Sequence, residues 1–251
     1  MKKRIKWSGV IACELFTFFT FIKMLAKKEY SNLIVCLITF VLCILPFIVE
    51  KLFYCKINTI AYIFILFYTI CPMLGDCYQL YYITTWWDKF LHAFGGVVFA
   101  LFGIYLFHFL NGKSTKAVAV VLFAVCFSIA LSVVWEFIEF GADTFFGTDM
   151  QRDTVITTIR SYNLGDDIGV MGTIDGIENV TVNGCELPVK GYLDIGLIDT
   201  MKDMLWEAFG ALIVGVMYFL DKGEHQIFIP DNSDKTAYVE MKSQGLKTHK
   251  S

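Results

Sequence analysis

Residues 117–143 read AVAVVLFAVCFSIALSVVWEFIEFGAD. No charged side chain stands between Ala117 and Trp135; Glu136, Glu139 and Asp143 then follow in quick succession. A helix rises about 1.5 Å per residue, so roughly 20 apolar residues cross about 30 Å of hydrocarbon. The stretch therefore reads as a membrane span with a carboxylate cluster at one end. Ionised groups are costly in a bilayer, so such a cluster needs partners or a purpose.

Working outward, the same pattern recurs. Apolar spans are expected at Trp7–Ala26, Asn32–Val49, Ile57–Leu74, Phe90–Leu110, Ala117–Phe140 and Met204–Leu220. The 251 residues are 56% hydrophobic and 18% charged, against about a quarter charged in soluble domains. A net charge of −3 gives no electrostatic reason to bind nucleic acid. The expected fold class is an all-α polytopic membrane protein: six transmembrane helices, with a small extracytoplasmic β-containing insert between helices five and six. The lipid bilayer is the implied partner. Residues 1–80 carry three spans, 81–143 the fourth and fifth, 144–198 the insert, 199–221 the sixth, and 222–251 a cytoplasmic tail.

Lys and Arg set the orientation. With the N-terminus inside, thirteen fall in inside segments and five in outside segments (Lys27, Lys28, Arg152, Arg160 and Lys190). Cytoplasmic flanks are enriched in these residues, which places both termini in the cytoplasm of a plasma-membrane protein. Tyr78, Tyr81, Tyr82, Trp86 and Trp87 then form an aromatic belt at the outer interface. Short polar turns are expected at 50–56 and 111–116. In the insert, residues 153–159 have strand composition, and Asn183-Gly184 between Val180-Thr181-Val182 and Cys185-Glu186-Leu187 signals a hairpin.

The eight cysteines have no Cys-x-x-Cys spacing, and most lie in apolar runs, where a thiol packs as a small hydrophobe. Cys77 and Cys185 alone fall outside the spans on the extracytoplasmic side, so they are the pair whose approach would permit a disulfide.

At about 100° per residue, three helices each carry a polar patch continuing into small residues. Asp88 and His92 share a face with Gly95, Gly96 and Gly103. Glu136, Glu139 and Asp143 share a face with Ser128 and Ser132. Asp199, Asp203 and Glu207 share a face with Gly210. Small residues permit close helix approach in lipid. All three patches lie at the same side of the membrane. Snorkelling helix ends would explain Asp88 and Asp199, since acids suit a helix N-terminus; they would not explain Glu136, Glu139 and Asp143 at a C-terminus. So many carboxylates together need protons or a cation. The expected ligands of a divalent metal ion are Asp88, His92, Glu136, Asp143, Asp199 and Asp203, with Glu139 and Glu207 as candidate catalytic bases. Protonated carboxylates on a proton path are the alternative.

Asp88-Lys89-Phe90-Leu91-His92-Ala93-Phe94, Trp135-Glu136-Phe137-Ile138-Glu139-Phe140, residues 143–151 (DTFFGTDMQ) and Asp199-Thr200-Met201-Lys202-Asp203 before Gly210-Ala211 resemble the bacterial membrane-protein family called domain of unknown function 2238, or YjdF-like, over about residues 60–220. More distantly, the three helices resemble VanZ-like proteins, which share the Asp-Lys-x-x-His helix start. This chain differs in its long insert and in lacking an Arg-rich turn before the last helix. The VanZ resemblance implies a role in the cell envelope, with glycopeptide-antibiotic tolerance as the named one. Three functions follow: an enzyme acting on a lipid or lipid-linked envelope substrate, an ion-coupled transporter, or a non-catalytic envelope protein of the antibiotic-tolerance type.

Overall fold

The computed structural model describes residues 2–52, 56–111 and 116–221. The tail expected at 222–251 lies outside the described residues, as do 53–55 and 112–115 of the two expected turns. The elements are α1 (Lys2–Lys27), α2 (Tyr30–Leu52), α3 (Thr59–Cys77), the single-turn α4 (Leu80–Ile83), α5 (Trp87–Asn111), α6 (Ala117–Phe146) and α7 (Leu197–Leu220). Six of them, all but α4, are long and apolar enough to cross a membrane. The protein is thus an α-helical, multi-pass membrane protein. Its large apolar side chains face outward, as on Phe19, Val41 and Leu205, where lipid rather than water covers them.

The chain forms two compact units, one of Met1–Ser132 with Trp206–Ser251, the other of Val133–Leu205. In the first, α1, α2 and α3 pack together. Lys6 bridges them at one end: its ammonium donates to Glu50 of α2 and to the Ile57 carbonyl before α3, and sits 5.0 Å from the Tyr62 ring centroid. At the other end of α1, Thr20 and the Tyr78 hydroxyl are 3.0 Å apart. Asn58 caps α3, its side chain accepting from Ile60 N at 2.9 Å. Phe94 of α5 meets Phe64 and Phe67 of α3 at ring-centroid distances of 5.7 and 5.6 Å, which is inside the range of favourable aromatic pairs.

Lipid tails are as apolar as leucine, so close packing must hold α5, α6 and α7 together. Ala100, Ile104, Val120, Ala124, Ala211 and Val214 form their shared core within the first unit. Trp87, expected in the interfacial belt, is instead buried against Cys71 and Leu91; Tyr82 and Trp86 are exposed as a belt requires.

The second unit holds the end of α6, the insert and the start of α7. The insert carries three two-stranded antiparallel ladders. They pair β1 (Val155–Ile156) with β6 (Tyr192–Leu193), β2 (Ile159–Ser161) with β3 (Gly172–Ile174), and β4 (Thr181–Val182) with β5 (Cys185–Glu186). The β4–β5 turn is Asn183-Gly184, with φ of 51° and 81°. Both values are positive, as a two-residue type I′ turn requires. Thr158 donates to the Asp175 carboxylate. That bond and the Gly176 amide hold the Asp175 carboxyl below its usual pKa.

Candidate functional site

The first unit brings Asp88, His92, Glu207 and Ser128 together. α5 places Asp88 in its first turn and His92 one turn later. The imidazole is only 7% exposed. Its Nε2 is 3.8 Å from Asp88 Oδ1, and its Nδ1 is 3.9 Å from Glu207 Oε2. Ser128 of α6 donates to the Gly96 carbonyl at 3.3 Å and to Glu207 Oε1 at 3.5 Å. Lys89 pairs with Asp88 Oδ2 at 3.2 Å.

Two glycines set this geometry. A Cβ on Gly96 would stand 2.0 Å from the Glu207 carbonyl oxygen, and one on Gly210 would stand 1.9 Å from the Ala93 carbonyl oxygen. The backbones of α5 and α7 therefore touch at both positions, and that contact delivers Glu207 to His92. Tyr68 of α3 also reaches this region, its hydroxyl 2.8 Å from where a Cβ on Gly95 would be. Sequence reasoning missed Tyr68; a lone tyrosine in an apolar span carries no signal of which way it points. His108 lies elsewhere on α5, buried with Nε2 2.9 Å from the Tyr218 hydroxyl.

The second unit holds the other expected residues. Glu136 and Glu139 of α6 are buried, and Trp135 Nε1 donates to Glu139 Oε1 at 2.7 Å. Asp143 accepts from Thr148 Oγ1 at 2.7 Å, from Met150 N at 2.7 Å and from Gln151 N at 2.8 Å. Asp199 accepts from Arg152 N at 3.1 Å, and Gln151 Nε2 donates to Thr200 Oγ1 at 2.6 Å. One segment, 148–152, is thus tied to the end of α6 by Asp143 and to the start of α7 by Asp199. Asp203 is 1% exposed, on the same face of α7 as Glu207 and one turn before it.

A neutral imidazole has one N–H and one lone pair, and an ionised carboxylate only accepts. A carboxylate facing each ring nitrogen can be accommodated by a second proton on the ring, by a protonated carboxyl or by a shared cation. The donor set is hard oxygen plus imidazole, which suits divalent ions.

No curated protein and no solved structure matches the chain. A family model does, over residues 9–222, described as a predicted membrane protein, DUF2238. That range takes in most of the first span, all of the other five and the insert, and the chain belongs to this family.

Proposed function

We propose that the protein holds a divalent cation within the membrane through Asp88 and His92 Nε2, with Glu207 standing on the Nδ1 side of the imidazole. The observation that carries this is the His92 ring, buried between two carboxylates at 3.8 and 3.9 Å. The 3.8 Å from Nε2 to Asp88 Oδ1 is longer than a hydrogen bond. Two ligand atoms each about 2.1 Å from one ion span such a gap at a wide angle. A carboxylate on the far nitrogen is the usual device for fixing a metal-binding histidine. Asp143 and Asp199 serve the frame, since their oxygens hold the 148–152 segment.

Such a cation would suit a phosphate-bearing lipid or lipid-linked envelope substrate. The cation would offset phosphate charge. The site would face outward in the plasma membrane, because Lys and Arg favour cytoplasmic termini by thirteen to five.

Elemental analysis of protein purified in detergent without chelator tests the core of the proposal. Wild type is expected to carry one stoichiometric divalent metal. His92→Ala and Asp88→Ala are expected to lose it. Glu207→Gln keeps the ligands and should weaken affinity about 10- to 100-fold. Metal-free wild type would overturn the proposal.

A further inference from the structure

Apart from that site, the first unit contains a buried cluster whose fully enclosed members all carry sulfur: Met24 of α1, Cys36 of α2, and Met73 and Cys77 of α3. None is more than 4% exposed. Cys36 Sγ and Cys77 Sγ are 3.9 Å apart. Asn32 joins a third sulfur to them, its carbonyl 3.8 Å from Cys77 Sγ and its side-chain amide 3.7 Å from Met24 Sδ. Met73 and Cys77 are four apart on α3 and share a face.

Buried thiols and thioethers commonly pack as hydrophobes. The other enclosed clusters, however, draw mainly on aliphatic and aromatic residues. The Sγ–Sγ distance also has a chemical meaning. It is far longer than the roughly 2.0 Å of a disulfide. It matches two sulfurs each about 2.3 Å from one ion in a tetrahedral or trigonal site. Thiolate and thioether donors select soft monovalent copper over hard divalent ions.

We propose that Met24, Cys36, Met73 and Cys77 form a binding site for Cu(I), separate from the carboxylate–histidine site. Copper enters already reduced, so no electron is transferred. One thiol gives up its proton to solvent as its sulfur bonds the ion. The thiolate–copper pair is then neutral, which avoids a net charge in the apolar layer. The second thiol and the two thioethers complete the coordination as neutral donors.

The test is an anaerobic Cu(I) titration of the full chain in detergent, competed against a chromophoric Cu(I) chelator. Wild type should retain one equivalent. The double variant Cys36→Ser/Cys77→Ser should lose it, and Met24→Leu and Met73→Leu should each weaken it at least tenfold. Met→Leu nearly conserves volume, so these two variants keep the fold if the cysteine variant does not. Cys13→Ser/Cys43→Ser and His92→Ala should bind as wild type, which separates this site from the divalent one. Absence of binding in wild type, or an equivalent retained by the Cys36/Cys77 double variant or undiminished in both Met variants, would overturn the proposal.

Discussion

Ile195 adopts φ of 56° with its side chain 79% exposed. A left-handed backbone costs an ordinary L-residue roughly 1–2 kcal/mol, and more for a β-branched one. Exposure gives no packing in return. The strain persists because both neighbours are fixed. Asp194 accepts from Thr154 N at 2.6 Å and from Ile198 N at 2.7 Å. At Gly196, with φ of 79°, a Cβ would stand 2.7 Å from that of Gln151. Asn tolerates the left-handed region far better than Ile, so Ile195→Asn should stabilise the insert by about 1 kcal/mol. Thermal unfolding of the purified protein followed by circular dichroism checks the sign; a lowered midpoint would count against the strain account. At this scale the sequence was informative for polar residues and silent for others. Asp88, His92 and Glu207 announced themselves because charge is rare in an apolar run. Ile195 and Tyr68 did not, because neither a strained φ nor a side chain's direction leaves a trace in composition.

At the scale of elements, α5 and α7 are the pair on which the site depends. Gly96 and Gly210 each lie against a backbone carbonyl of the facing helix, at 2.0 and 1.9 Å from an added Cβ. A backbone atom cannot swing aside as a side chain would, so Gly96→Ala or Gly210→Ala must push the helices apart. Each should cost at least the roughly 1–3 kcal/mol of ordinary overpacking and should weaken metal binding by moving Glu207 from His92. Gly141→Ala is the control: nothing lies within 4 Å of its added Cβ. There alanine should be neutral or stabilising by up to about 1 kcal/mol through helix propensity. Thermal melts of the three variants, with metal content measured on the same samples, check both effects. Gly96 and Gly210 were legible as small residues continuing a polar face. The hairpin at Asn183-Gly184 was legible from its turn chemistry. The pairing of β1 with β6 was not, because two-residue strands far apart in sequence carry no periodicity.

At the scale of the whole molecule, the described residues hold six spans with one long insertion between the last two. That much was readable because lipid demands long uninterrupted apolar helices with every backbone group satisfied internally. The partition of the thiols was not. Cys77 sits beside Cys36 and is 4% exposed, whereas Cys185 is exposed in the insert, and both are free. Sequence left these two as the pair whose approach would permit a disulfide, because both fell at one side of the membrane, but helix packing and not sidedness decides which thiols meet. The difference in exposure gives a clean reading of orientation. If the insert lies outside, a membrane-impermeant maleimide applied to intact cells should label Cys185, and Cys185→Ser should abolish that labelling. Cys36 and Cys77 should remain unmodified until the protein is denatured, since a thiol must be reached by solvent to react. Permeabilisation should add nothing at Cys185. Labelling of Cys185 only after permeabilisation would invert the topology, moving the insert and the carboxylate site to the cytoplasmic side and making Lys27, Lys28, Arg152, Arg160 and Lys190 the inside residues. The excess of Lys and Arg on the opposite segments argues against that inversion.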